Sequence, residues 1–444
     1  MGAASVPSAS AARVVMLLPS SVSAGEQLGL ASAAAALALA QAQSAAQAPP
    51  VAVWLLTAGV QVAFGSAPAS GPAHGGSWGV ARSARTEALV PLLCADVPAT
   101  LSTTGMVGLV LSASEPEVVA RGRGLLVPRL TPQQSTGASS GSDGPCSSES
   151  HAVTGGTSGI GLLTARWLAQ RGVGEVVLAS RRGAVAADAG REWEQLAASG
   201  ASVRPVECDA SEVSGVRRLM ALVRRGSPPL RGVWHAAGVL ADGLLPKQDA
   251  LMLSRVYAPK ADGACVLHVS SAAEGLRASV LFSSVAALLG GAGQANYAAA
   301  SACLDALAPC RRGRGMSGVS VQWGAWAEIG MAARGAAGAR MSAIESSSGI
   351  GRIGLSHGLS ALQLAAQPNG ASVLGVVRIV WSRMLGDGSA VPSFLSAFAP
   401  SASLVSAAES VPSAAVVARS VCALSLEAVV ELVRRTAGSA VDAD

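Results

Sequence analysis

Apolar residues recur along the chain in two rhythms, and the clearest change from one to the other falls in residues 152–182. A short β-branched run leads into glycines at Gly155, Gly156, Gly159 and Gly161. Apolar positions at helical spacing follow at Leu162, Leu163, Trp167 and Leu168, until Gly172 interrupts them. A second apolar run, 176–179, ends in Ser180, Arg181 and Arg182. The pattern predicts strand, glycine turn, helix, strand. The alternation then continues. Helices are expected over 192–198, 213–225, 250–268, 297–307 and 358–366. Strands are expected over 203–207, 232–234, 279–282, 319–323 and 373–380. Strands separated by helices predict an α/β fold with a parallel, doubly wound sheet, which takes its ligands at the carboxyl ends of its strands.

Upstream, the pattern is thinner. An alanine-rich helix is expected over 29–48, stopped by Pro49 and Pro50. A buried strand is expected at 51–57, helical spacing over 76–93 and another strand at 124–127. These are α/β elements without a phosphate loop. Residues 131–150 and 392–412 are rich in Ser with Gly or Ala and read as linkers. The stretch 425–435, SLEAVVELVRR, is a short amphipathic helix with Glu427 and Glu431 against Arg434 and Arg435.

Composition narrows the function classes. A chain of 444 residues accommodates two or three domains of ordinary size. Half of it is hydrophobic while aromatics make up only 3%, so alanine and valine must form much of the core. The net charge of +5 is modest, and no dense Lys/Arg block carries interleaved aromatics, which argues against nucleic-acid binding. Seven cysteines form no C-x-x-C pair, and five histidines show no ligand spacing, so a reduced compartment and no metal are expected. The apolar run 14–18 is short for a signal peptide, and 30–40 has too few bulky residues for a membrane span. A cytoplasmic location is expected, with organelle targeting left open.

The glycine unit is of the kind that holds a dinucleotide pyrophosphate at a helix N-terminus. Gly155 permits the tight turn, and Gly159 and Gly161 allow close approach because neither has a Cβ. Dinucleotide-binding proteins that take a 2′-phosphate often carry a basic residue after the second strand, and Arg181 and Arg182 stand at that place, where a guanidinium can pair with such a group; the alternative is a solvated charge pair at a strand end. Tyr297 is one of two tyrosines. A phenol can protonate an oxygen that gains charge, and an ammonium nearby favours its ionised form. Lys260 is the candidate ammonium, and Ser284, at a strand end, is the candidate hydroxyl for a substrate carbonyl. Taken singly, these three also read as a surface lysine, a strand-end cap and a half-buried helix residue.

The residues together resemble a ketoreductase domain of a modular polyketide synthase, within the short-chain dehydrogenase/reductases. The likeness is carried by Thr-Gly-x-x-x-Gly-Ile-Gly at 154–161, His-Ala-Ala-Gly at 235–238 and Lys-Ala-Asp-Gly at 260–263. It extends to LFSSVAALLGGAGQANYAAASACLDAL at 281–307 and WGAWAEIGMA at 323–332, and spans most of 50–400. The resemblance implies two Rossmann-like subdomains with doubly wound parallel sheets, the N-terminal one truncated and without cofactor. The implied division is a structural subdomain at 1–130, a linker at 131–150, a catalytic NADPH-binding subdomain at 151–400, and a linker with the start of an acyl carrier domain at 401–444.

The resemblance also implies a reaction. NADPH reduces the β-keto group of a β-ketoacyl thioester, carried on the phosphopantetheine of an acyl carrier protein, during polyketide or fatty acid elongation beside neighbouring synthase domains. Tyr297 protonates the alkoxide, Ser284 polarises the carbonyl, and Lys260 holds the ribose and tunes Tyr297. The cofactor would lie against Thr154, Gly155, Thr157, Ser158, Gly159, Ile160, Gly161, Ser180, Arg181, Arg182, Ala236, Ala237 and Gly238. Asp209 matches the residue that contacts the adenine.

Two departures stand out. Ser301 occupies the place of a catalytic asparagine. The stereochemical marker Leu-Asp-Asp reads Leu240-Ala241-Asp242, with its second aspartate kept, while Leu289 stands where the opposite class has tryptophan. Asp242 and Leu289 therefore favour a D-configured (3R) alcohol. Residues 424–444 resemble the opening of an acyl carrier domain but stop before an Asp-Ser-Leu motif, as a piece of a longer synthase would. The competing readings are a free-standing reductase of a small ketone, which needs only one Rossmann domain, and a catalytically silent scaffold that keeps the fold.

Overall fold

The computed structural model describes residues 13–16, 29–46, 51–61, 72–98, 108, 110, 113–121, 124–133, 147–226, 228–330, 342–343, 345, 348–368, 370–385 and 391–399. The amphipathic stretch 425–435 lies outside the described residues, as does most of each Ser-rich linker.

The first sheet comprises β1 (Arg13–Met16), β2 (Val53–Ala58), β3 (Leu92–Val97), β4 (Glu117–Arg121) and β5 (Gly124–Leu126). Its spatial order follows the chain, β1 to β4 parallel and β5 antiparallel to β4. Helices α1 (Leu30–Ala45) and α2 (Gly75–Glu87) connect its first three strands. The helix expected over 76–93 stops at Glu87 because Leu92 and Leu93 belong to β3, and Leu89 between them takes a positive φ of 53°. The apolar spacing runs through a helix end, a turn and a strand start without a break, so periodicity alone could not divide them. Strand β4 was not anticipated: its EVVAR sequence buries Glu117, whose carboxylate pairs with Arg82 and Arg85 of α2.

The second sheet is the expected parallel one. It contains β6 (Ser150–Thr154), β7 (Glu175–Ser180), β8 (Ser202–Glu207), β9 (Leu230–His235), β10 (Ala278–Ser284) and β11 (Val319–Trp323), followed after a two-residue strand β12 (Ile350–Gly351) by β13 (Val373–Val376). The seven-stranded order is β13-β11-β10-β9-β6-β7-β8, so the winding reverses between β6 and β9. Strands β6 and β10 are buried along their whole length, as a sheet covered on both faces requires. The connecting helices are α3 (Gly159–Gln170), α4 (Gly190–Ala197), α5 (Val213–Arg225), α6 (Ala250–Tyr257), α7 (Gly263–Ser270), α8 (Val285–Leu289) and α9 (Ala295–Gly313), with α10 (Leu355–Ala365) after β11. The expected strand 373–380 is two strands, β13 and β14 (Arg378–Ile379), the latter antiparallel to β12. The helix expected over 250–268 is broken by a π-helical turn, Ala258–Asp262, that contains Pro259 and Lys260. Part of each expected linker is structured. Glu149 and Ser150 are buried at the start of β6, and Leu130 N donates to the carbonyl of Phe394, beside buried Leu395.

One apolar core joins the two sheets. It takes in Leu37 of α1, Leu55 of β2 and Trp78 of α2 together with Val256 and Tyr257 of α6 and Ala299, Cys303 and Ala306 of α9. Helices α2 and α9 approach closely because both are built from small residues. A Cβ on Gly79 would stand 2.3 Å from the carbonyl oxygen of Ala298. The alanine-rich composition thus makes a close helix pair rather than a bulky core.

Candidate active site

The crevice forms where the sheet reverses, beside the ends of β6, β9 and β10. Strand β6 ends at Thr154, and Gly155 turns with φ 68°, its missing Cβ leaving room for the Ala236 backbone 2.9 Å away. A Cβ on Gly161 would meet the carbonyl oxygen of Gly155 at 2.2 Å, so this glycine seats α3 against its own turn. Gly159 has φ 52°, and the nearest atom to its absent Cβ is the Cα of Gly330 at 3.7 Å, so its outer side is open.

A cavity of about 550 Å³ begins at this turn. Among the expected residues it is lined by Gly155, Ser158, Gly159, Ile160 and Gly161, by Ala236, Ala237 and Gly238, and by Asp242, Lys260, Ser284, Leu289 and Tyr297. The π-helical turn carries Lys260 inward, where it is buried and donates to the carbonyl of Phe282 at 3.0 Å and to the phenol oxygen of Tyr297 at 3.2 Å. Its ammonium also lies 4.3 Å from the centre of the tyrosine ring. Ser284 caps α8, its Oγ accepting from Ala286 N at 3.2 Å. The phenol, ammonium and hydroxyl therefore line one cavity.

Some expected residues lie elsewhere. The Thr154 hydroxyl is buried and sits 2.7 Å from Nδ1 of His235, and Thr157 is buried. Asp209 holds its own turn, its Oδ1 accepting from the backbone N and the hydroxyl of Ser211. Arg181 and Arg182 are exposed beyond the end of β7. Ser180 closes β7, its carbonyl accepting from Cys208 N. Ser301 is fully buried, one helical turn after Tyr297, and its Oγ has no hydrogen-bond partner among the described residues. None of these seven lines the cavity.

Several contributors were not read from the sequence. His235, fully buried, joins Thr154 to the backbone of Lys260, whose carbonyl lies 2.8 Å from its Nε2. A carbonyl can only accept, so Nε2 carries the proton and Nδ1 accepts from Thr154. Burial, with a lesser effect of the Lys260 charge, brings the His235 pKa down to about 4, so the ring stays neutral. Asn296 donates from Nδ2 to the carbonyl of Ala241 at 2.7 Å, and Gln294 Nε2 lies 3.2 Å from both oxygens of Asp242. Thr86, from α2 beside the first sheet, also lines the cavity. The His-Ala-Ala-Gly motif was the available signal for His235; nothing in the sequence pointed to Thr86.

Comparison with known proteins bears on this geometry. A family model for the KR domain matches residues 150–328. A solved structure of A-type ketoreductases from a modular polyketide synthase is 34% identical, covers 82% of this chain and 78% of its own, and superimposes with a TM-score of 0.73. The chain belongs to the ketoreductases of modular polyketide synthases. The first ketoreductase of the tylosin synthase is 33% identical, with a TM-score of 0.67 over 82% of this chain and 80% of that one. Polyketide synthase GfsB of Streptomyces halstedii is 48% identical over 190 residues, which are 43% of this chain and 3% of that protein. GfsA from the same organism is 38% identical over 291 residues, 63% of this chain and 4% of its own length. The chain thus spans only a few per cent of these curated synthases.

Ketoreductases of this family are nicotinamide-dependent oxidoreductases, and the crevice fits such a dinucleotide. The space a Cβ on Gly159 would fill opens at the N-terminus of α3, where unpaired backbone N–H groups favour phosphate. Among the described residues no helix is long and apolar enough to cross a membrane, and no cluster of His, Cys, Asp or Glu could hold a metal ion.

Proposed function

We propose that the chain reduces the β-keto group of a β-ketoacyl thioester, presented on the phosphopantetheine of an acyl carrier protein, to a β-hydroxyacyl thioester during polyketide elongation. The observation that carries this reading is the contact of the Lys260 ammonium with the Tyr297 phenol, in a cavity that opens at a glycine turn. The cofactor proposed is NADPH, which supplies a hydride when bound. The glycine turn would hold its pyrophosphate, Arg181 and Arg182 its 2′-phosphate, and Asp209 the edge of its adenine.

Ser284 accepts its capping bond from Ala286 N, so its own proton is available to the keto oxygen. Tyr297 gives its proton to the oxygen as negative charge develops there. Lys260, steadied by the carbonyl of Phe282, balances the charge left on the phenol oxygen. His235 and Thr154 hold the backbone that carries Lys260. Asp242, paired with Gln294, stands on the wall the acyl chain would pass, and we assign the product to the 3R series on that residue. Neighbouring synthase domains in a reducing cytoplasm would supply and receive the carrier.

NADPH titration followed by single-turnover reduction of a carrier-bound β-ketoacyl thioester tests the proposal, with chiral chromatography of the product. One equivalent of 3R-hydroxyacyl thioester is expected. Reduction of a small ketone without reduction of the carrier-bound substrate would favour a free-standing reductase. A silent scaffold is the second reading, favoured by the orphaned Ser301 hydroxyl; NADPH binding with no turnover would establish it.

A further inference from the structure

Helix α2 packs beside the first sheet, yet one face of it reaches the loop that precedes Tyr297. Arg82 donates to the carbonyl of Ala287, and Ser83 Oγ accepts from Gly291 N at 3.3 Å. The Thr86 hydroxyl stands 3.2 Å from the carbonyl of Leu289 and 2.9 Å from that of Arg82. Glu87 goes further, because its two oxygens hold two different loops. Oε2 accepts from Gly293 N at 2.7 Å, just before Tyr297, and Oε1 accepts from Leu245 N, just after Asp242. Those loops also meet each other directly at this seam, through Gly243 N and the carbonyl of Gly293, 2.9 Å apart. Residues of both loops, Leu240 and Asp242 on one and Leu289 to Ala292 on the other, line the cavity.

We propose that Glu87 is a positioning residue for substrate recognition: the N-terminal sheet's helix clamps the two loops that form the acyl-chain wall, and so sets which β-ketoacyl group is accepted and from which side. The inference rests on the ketoreductase reading of the same cavity. It differs from general support of the fold because the bonds end on the Asp242 and Tyr297 loops and none ends on the glycine turn. Two backbone N–H groups converge on one carboxylate, and each bond is charge-assisted. An amide in its place can accept only one of them, since its NH₂ would face the other donor.

The test uses the full chain with Glu87→Gln and Thr86→Val, each compared with wild type. The measurements are affinity for a short β-ketoacyl thioester, KM and kcat, product chirality, NADPH affinity, and amide exchange over 241–248 and 285–294. For Glu87→Gln, thioester affinity should fall and KM rise by about tenfold, the size of one charge-assisted hydrogen bond, while NADPH affinity stays within about twofold. Enantiomeric purity should drop, and exchange at Gly293 and Leu245 should quicken. Thr86→Val, which keeps its volume, should shift the same quantities in the same direction by less. Wild-type thioester affinity and chirality in a folded Glu87→Gln protein would overturn the proposal, as would a loss confined to melting temperature or to NADPH binding. A wild-type chain that binds the thioester but never reduces it would refute the reductase reading instead, and the affinity and exchange measurements would still decide the clamp.

Discussion

At the scale of single residues, the site rests on a few contacts, each with a separable consequence. Tyr297→Phe removes the proposed proton donor and leaves the ring, so on that reading kcat should fall by about a hundredfold or more with NADPH affinity retained, read by stopped-flow reduction and by titration. Thr154→Val separates two roles for one hydroxyl. The structure gives that hydroxyl to Nδ1 of His235, whose Nε2 then holds the Lys260 carbonyl. Orphaning a buried nitrogen costs about 1–3 kcal/mol, and the loss should appear in kcat and melting temperature rather than in NADPH affinity. A rise in NADPH Kd alone would return Thr154 to the cofactor. Tyr297, Lys260 and Ser284 were legible because each sits in a recognisable run at the end of a strand or on the helix beside one. The inward turn of the Thr154 side chain was not, because a motif gives a residue's place along the strand and not which neighbour it meets. Glu87 was invisible: it is an ordinary helix-end carboxylate until the fold brings Leu245 and Gly293 to it.

At the scale of elements, the glycine turn offers a contrast between two positions that look alike in the sequence. A Cβ on Gly161 would overlap the Gly155 carbonyl, so Gly161→Ala should displace α3, lowering both the melting temperature and NADPH affinity. Gly159→Ala meets nothing within 3.7 Å but keeps a positive φ, a strain of about 1 kcal/mol. That variant should fold and lose mainly NADPH affinity, because the new methyl stands in the space proposed for the cofactor's phosphate; melting curves and titration distinguish the two. The alternation of strands and helices after residue 150 was legible because short apolar runs such as 176–179 and 280–282 alternate with stretches of helical spacing. The π-helical turn at Ala258–Asp262 was not, since helical spacing continues across it and only the Lys260 contacts show its purpose. Strand β4 escaped because its first residue is a charge, and a buried Glu117 makes sense only once Arg82 and Arg85 are known to lie beside it.

At the scale of the whole molecule, buried titratable groups make stability fall on acidification in two steps. Burial lowers the pKa of His151 and of His235 from 6.5 to about 4, so between those values the unfolded chain binds protons that the folded chain refuses. Their contribution is complete above pH 6.5 and is lost as pH falls towards 4. Burial alone would raise the Glu117 pKa, but Arg82 and Arg85 outweigh it and bring the value from 4.5 down to about 2. Stability from that ionised carboxylate is present above pH 4.5 and is lost as pH falls through 2. Melting curves recorded from neutral to acid pH should therefore decline first in the histidine range and again below it. The sheet order and the shared core extend beyond what the sequence revealed, because small residues of no evident purpose, such as Gly79, prove to be the surface on which α2 meets α9. That surface constrains any chimaera. A transplant that takes residues 147–399 and leaves 1–133 behind would cut through the close α2–α9 pair and bare Val256, Ala299 and Ala306 to water. Such a graft should precipitate when made alone and dissolve when its own missing half, rather than a foreign one, is produced alongside it.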